Sequence, residues 1–272
     1  MSRRYDQSTT TFSPEGRLHQ VEYAIEAINN AGTCVGIVCP HGEGIVLVAE
    51  KRVVSKLLAP SKISEKTYPI DDHMCCLVAG FSSDAAILIQ QARVGAQRYL
   101  YSYQEPMPVE QTVKAICNHK QSYTQFGGLR PFGVAFLFAG YDIYNGFQLY
   151  QTDPSGNYSA WKATVIGQNN QAGKALLKTD YAATPAASSS SVHPLTPTIH
   201  LALKILLKTM DSSTPESSRI ELTLLTKTKS SNNTADVSYV TVGDAEVQQY
   251  LSAVLAEDEK KKKSESSTSS DI

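Results

Sequence analysis

From Thr33 to Ala79 the chain runs as short apolar segments cut by polar turns, and this stretch most restricts the fold. Thr33 to Cys39 and Ile45 to Ala49 flank Pro40-His41-Gly42-Glu43-Gly44, which reads as a hairpin. Ile63 to Ile70 and Met74 to Ala79 form a second pair around Asp71-Asp72. The period then changes. Ser82-Ser83-Asp84 caps a helix reaching Tyr101, with Ala85, Leu88, Ala92, Ala96 and Tyr99 on one stripe. A second helix starts near Pro108, carries Val109, Val113, Ile116 and Lys120 at helical spacing, and gives way at Phe126-Gly127-Gly128.

The same alternation recurs. Pro131 to Gly140, Gly146 to Gln151 and Trp161 to Ile166 read as strands, with Asp153-Pro154-Ser155-Gly156 as a turn. Helices are expected over 170–181, 199–210 and 244–256, and strands over 220–226 and 237–242. Ahead of all this, Ser13 as N-cap, Pro14 and Glu15 predict a helix over 14–30, with Leu18, Val21, Ile25 and Ile28 on its apolar face. Hairpin-linked strands in blocks argue for antiparallel sheets, and paired helices for layers outside them. Periodicity supports α+β, and a four-layer αββα sandwich satisfies the order. One domain is expected over 13–256, with a flexible leader at 1–12, a flexible loop at 182–198 and a disordered Lys/Ser-rich tail at 257–272.

Composition removes several functions. A net charge of -1 gives no reason to expect nucleic acid or an anionic membrane as partner. No apolar run approaches the roughly 20 residues that span a bilayer, and the N-terminal residues lack an apolar signal core. Cys34, Cys39, Cys75, Cys76 and Cys117 form no C-x-x-C pair and lie in apolar or amphipathic segments, so buried reduced thiols are expected. No metal site and no cofactor are expected. Cys75 and Cys76 are adjacent on a strand, so their side chains point to opposite faces.

Three segments carry a family resemblance. Tyr5-Asp6 followed by Phe12-Ser13-Pro14-Glu15-Gly16-Arg17-Leu18-His19-Gln20-Val21-Glu22-Tyr23-Ala24 resembles the signature of 20S proteasome alpha subunits. Tyr123 to Val134 resembles that family's helix-to-strand transition, and Asp153 to Gly156 with Trp161 to Gly167 extends the match. Within the eukaryotic members, Met1 to Asp6, Gln97 to Leu100 with Gln104 to Pro106, and Phe147 to Gln151 are similar to the branch at the third ring position. The 182–198 loop is longer and more serine-rich than the family pattern, and the tail is short.

The resemblance implies the fold of N-terminal nucleophile hydrolases, so catalysis has to be weighed. Such enzymes use a Thr, Ser or Cys at the mature N-terminus, whose own α-amine is the base. Matched to a catalytic beta subunit, Gly32 stands at the nucleophile, Glu50 at the catalytic aspartate and Lys66 at the catalytic lysine. More than thirty residues precede Thr33 and encode a helix. The nucleophile is missing, and only cleavage before Thr33 would revive a hydrolase. His73 and His119 read as structural histidines, His19 as an exposed polar residue, and Lys260 to Lys263 as either an import signal or a solvated tail.

What remains is structural and regulatory. The resemblance implies a subunit in a particle of four stacked seven-membered rings, contacting neighbouring alpha and beta subunits, in cytoplasm and nucleus. It implies a gate segment containing Arg3, Arg4, Tyr5 and Asp6, and an open-gate turn cluster of Tyr5, Asp6, Pro14 and Tyr23. Lys66 matches the lysine that receives an activator's C-terminal carboxylate, a charge-assisted bond worth roughly 1.5–3 kcal/mol. An independent binding protein is the other alternative. The apolar face of the first helix opposes it, because that face needs a covering surface.

Overall fold

The structure, a computed structural model, describes residues 10–52, 57, 66–182, 184, 194–210, 216–229 and 235–268. Two antiparallel five-stranded sheets face each other. The first contains β1 (Cys34–Val38), β2 (Gly44–Glu50), β8 (Ala163–Ile166), β9 (Ile220–Lys229) and β10 (Ala235–Thr241), in the order β10-β9-β2-β1-β8. The second contains β3 (Thr67–Asp71), β4 (Met74–Gly80), β5 (Val134–Asp142), β6 (Gly146–Thr152) and β7 (Tyr158–Ala160), in the order β3-β4-β5-β6-β7.

Strand alternation builds three apolar layers. On β5, Ala135, Leu137 and Ala139 face the opposing sheet, whereas Val134, Phe136 and Phe138 face α2 (Ser82–Tyr103) and α3 (Val109–Gln125). On β2, Ile45, Leu47 and Ala49 point between the sheets, while Val46 and Val48 meet α4 (Asn170–Asp180) and α5 (Thr196–Thr209). Strands covered on both faces read as continuous apolar runs, which is why β2 is buried at every position. Each such aliphatic side chain stabilises the sandwich by about 1.5–3 kcal/mol. Gly36 keeps the sheets close: a Cβ there would stand 3.1 Å from a Leu149 methyl and 3.2 Å from one of Leu137. The αββα order expected from the sequence is the order observed. Cys75 joins the inter-sheet layer and Cys76 the helix-facing one, so the adjacent thiols do point apart. All five cysteines are free and buried.

Several boundaries differ from expectation. The first helix, α1, is His19–Asn29 and not 14–30. Gly16 has φ +78, which no helix accommodates, and Ser13 closes a separate turn by accepting the Arg17 N–H on its hydroxyl at 3.1 Å. The expected Ser82-Ser83-Asp84 cap is not observed: the N-cap of α2 is Phe81, whose side chain has no acceptor to offer, and Asp84, already inside the helix, pairs with Arg130. α5 begins at Thr196 with a proline in its first turn, inside the stretch expected to be loop; 183 and 185–193 lie outside the described residues. The last helix, α6 (Asp244–Thr268), runs twelve residues beyond the expected Ala256, into the tail expected to be disordered.

α1 closes one end of the sandwich. Its Ile28 enters the layer between the sheets. Among the described residues, no helix is long and apolar enough to cross a membrane.

Candidate functional site

The α1 end is where β1 begins, β2 ends and β3 starts, and it gathers the residues matched to a hydrolase centre. Thr33 accepts the Glu50 N–H on its carbonyl at 2.9 Å and donates its hydroxyl to the Gln168 carbonyl at 3.0 Å. Glu50 is buried, with one carboxylate oxygen 3.6 Å from the Arg219 guanidinium. Glu221, also buried, accepts the backbone N–H of Thr67 at 2.8 Å and of Lys66 at 3.3 Å. The start of β3 is thus pinned to β9 by a carboxylate. Lys66 itself is half-buried, close enough to Cys34 for its positive charge to act on that thiol.

Gly32, which the sequence match set at the nucleophile position, leaves little room for a side chain. A Cβ there would lie 2.9 Å from the Glu50 carbonyl oxygen and 3.6 Å from its carboxylate. The residues ahead of Gly32 are stitched down. Arg52 donates to the Asn30 carbonyl at 2.7 Å and also to the Gln168 side chain, while the Gln168 backbone N–H donates to the Ala31 carbonyl at 2.9 Å. Thr33 therefore follows a built peptide and has no α-amine of its own to serve as base. Cys34 is no substitute: burial pushes its thiol up to about 12, against the opposing pull of Lys66, so it stays protonated at neutral pH. The chain has the hydrolase-like sandwich without the nucleophile.

Sequence reading found Gly32, Glu50 and Lys66. It missed Arg52, just past the end of β2, and Gln168, Arg219 and Glu221, which come from distant segments; none belongs to a motif. Among the described residues, no group of three or more His, Cys, Asp or Glu could hold a metal ion.

The other assigned residues divide. Arg3, Arg4, Tyr5 and Asp6 lie outside the described residues, as does Glu65 beside Lys66. Pro14 is exposed in the turn ahead of α1, where Arg17 holds Glu22 through bonds of 2.7 and 2.9 Å. Tyr23 is exposed on α1, its ring stacked 6.3 Å from that of His19. His19 is half-buried and 3.6 Å from Glu22, not the exposed residue expected. His73 bonds the Met107 carbonyl at 2.8 Å, and His119 packs against Tyr123 and Phe132. At the opposite end of the second sheet, Asp71, His73, Arg93, Glu105 and Tyr144 line part of a groove of about 960 Å³.

Known proteins now bear on this geometry. Residues 28–225 match the proteasome subunit family, and residues 5–27 match the N-terminal signature of A-type proteasome subunits. Proteasome subunit alpha type-4-A of Arabidopsis thaliana is 59% identical over 222 residues, covering 82% of this chain and 85% of that protein. Proteasome subunit alpha type-4 of Spinacia oleracea is 60% identical over the same shares, and alpha type-4-1 of Oryza sativa subsp. japonica 57%. The similarity to the alpha type-4 branch agrees with the segments that resemble the third ring position. The signature is the alpha one. The chain belongs to the proteasome subunit family, in its alpha-type, non-catalytic branch.

Proposed function

We propose that this chain is a wall and gate subunit of the alpha ring of the 20S proteasome. It helps to assemble the ring, restricts entry to a chamber whose proteases lie on beta subunits, and docks regulators, in ubiquitin-dependent and ubiquitin-independent degradation. The observation that carries the reading is the integration of α1: Ile28 is core, and Arg52 and Gln168 fasten residues 30 and 31 where a protease would need a free amine.

Two finer assignments follow. Arg3, Arg4, Tyr5 and Asp6 form the gate, with Tyr5 and Asp6 joining Pro14 and Tyr23 when it opens. The exposure of Pro14 and Tyr23 supports this, since both can receive a neighbouring segment. Lys66 receives the C-terminal carboxylate of an activator tail. Its support is the Glu221 carboxylate, which fixes the backbone at Lys66 and Thr67 and so fixes where the side chain leaves the sheet. The particle is the 28-mer of four seven-membered rings, in cytoplasm and nucleus.

Native mass spectrometry of the tagged protein from its own cells tests the assembly. A particle of that size containing the uncleaved chain supports the reading. A free chain beginning at Thr33 would revive a hydrolase, and a free uncleaved chain would leave an independent binding protein. Deleting residues 2–11 tests the gate, because hydrolysis of small peptides by the assembled particle should then rise.

A further inference from the structure

The groove of about 960 Å³ has β10 as one wall, where Val237, Ser238 and Tyr239 line it. β10 is an outermost strand: β9 pairs with one of its edges, and among the described residues no strand pairs with the other. Such an edge is a row of backbone donors and acceptors open to a further strand, and folded chains blunt it by shortness, proline or cover. The other outer strands are blunted. Pro69 on β3 has no N–H, and its carbonyl accepts from the Arg93 guanidinium at 2.9 Å. β7 has three residues and β8 four. β10 has seven, Ala235–Thr241, and no proline.

The rest of the groove is acidic where it is charged. Asp71, Asp72, Glu105 and Asp142 line it, against Arg93, whose guanidinium already holds the Pro69 carbonyl. Neutral groups hold the carboxylates. Asp71 accepts from the Gln97 amide at 3.3 Å, and Glu105 from the hydroxyls of Tyr99 at 3.4 Å and Tyr144 at 3.2 Å. Asp142 accepts the N–H groups of Tyr144 at 3.1 Å and Asn145 at 2.7 Å. His73 stands 3.8 Å from Asp71 and bonds the Met107 carbonyl through its other ring nitrogen. Among the described residues, no lysine or arginine bonds any of these carboxylates. Ile143 and Tyr144, in the turn between β5 and β6, give the rim an exposed apolar part.

We propose that this groove takes an extended segment of a partner protein, which adds to β10 as a further strand and brings lysine or arginine to Asp71 and Glu105. The edge selects a strand, since a helix would leave the β10 backbone groups without partners. The carboxylates select a cationic segment: they would repel an acidic one, and a charge-assisted bond is stronger than the neutral ones they now make. A strand turns alternate side chains to one face, so the partner's basic residue should stand two positions from an aliphatic residue that covers Ile143. This inference depends on neither the gate nor the activator reading.

The test uses the tagged full-length chain with p-benzoylphenylalanine in place of Ile143, isolated from its own cells in whatever complex it forms and then irradiated. Ile143 is 78% exposed, so the probe sits on the rim without entering the core. The cross-linked peptide should carry a lysine or arginine two residues from an aliphatic one. Asp71→Asn combined with Glu105→Gln should lower the yield severalfold, and so should raising the salt, which needs no variant and decides the matter if the double variant fails to assemble. Hydrogen exchange of the complex over 235–241 reads the backbone half: with a strand added, the outward amides of β10 exchange as slowly as those paired with β9. No cross-link, a cross-link to a segment without a cation, or a yield indifferent to charge and salt overturns the proposal. Fast exchange at alternate amides of β10 overturns strand addition.

Discussion

The Lys120 ammonium donates to the Thr152 hydroxyl across 3.0 Å, and its other acceptors are the carbonyls of Val134, at 3.0 Å, and Asp153, at 3.5 Å. Among the described residues no carboxylate bonds it in the fully buried space over the Phe136 ring, 4.7 Å from its centroid. Neutral dipoles and an aromatic face replace water only in part, so burial pulls the Lys120 pKa down to about 8.

That value gives the first prediction. Between pH 8 and 10.5 the unfolded chain holds a proton on Lys120 that the folded chain has released, so this residue makes stability rise with pH there. Below pH 8 both states hold the proton and the contribution is flat. The total rise is on the order of 3 kcal/mol. Urea unfolding of the wild type and of Lys120→Met across pH 7–10.5 isolates it. The difference between the two should grow with pH, and a constant difference would remove the argument.

The buried thiols act in the opposite sense. Burial raises Cys34 and Cys75 to about 12 and Cys117 to about 11, against an ordinary value of 9.0. Folded thiols keep protons that unfolded ones lose, so their contribution is complete below pH 9 and declines as pH climbs towards the folded values. From these groups alone, stability should therefore peak between pH 8 and 9, where the combined loss from the cysteines, Cys76 included, overtakes the gain from Lys120. Cys75→Ala should shift that peak upwards, measured by the same pH series.

The sandwich was legible because both faces of β2, β4 and β5 are covered, leaving unbroken apolar runs between turns. Lys120 was legible in place but not in meaning: it stands at helical spacing with Val109, Val113 and Ile116, yet spacing alone does not reveal which carbonyls will meet its ammonium. The start of α1 was misread because Ser13-Pro14-Glu15 imitates a helix cap, while the left-handed Gly16 three residues later ends the imitation. At the candidate site, Gly32, Glu50 and Lys66 came from the match to a catalytic beta subunit. Arg52 stands just past the end of β2, and Gln168, Arg219 and Glu221 are brought there by strand pairing across the chain; no local pattern announces such pairings. The end of α6 was missed for a different reason, since a charged, serine-rich composition fits both a solvated helix and a disordered tail.

α6 supplies a third prediction. Val247, Leu251 and Val254, spaced by four and three, lie in the core layer against α5. Leu251→Ala should cost about 2–5 kcal/mol, the usual range for a buried leucine. Removing residues 257–272 should change the unfolding free energy by less than about 0.5 kcal/mol, because the apolar stripe ends before them. A large loss from the truncation would mean that the final turns of α6 carry packing of their own.

Gly32→Thr asks whether chemistry can be restored by supplying the missing residue. The new Cβ would meet the Glu50 carbonyl oxygen at 2.9 Å, a backbone atom held by the pairing of β2 with β9, so neither side can yield cheaply. Overpacking of this kind costs about 1–3 kcal/mol. The introduced hydroxyl would also lack a base, since its amide nitrogen remains in the peptide from Ala31, and residues 30 and 31 stay fastened by Arg52 and Gln168. The variant should unfold at lower urea than the wild type and hydrolyse peptides no faster. Placing Arg52→Ala beside it should recover part of the stability only if the Arg52 side chain, 3.7 Å from that Cβ position, shares in the crowding. Hydrolytic activity in Gly32→Thr, with the preceding residues still attached, would show that the centre needs only a hydroxyl and that the fastening of α1 is not what keeps it silent.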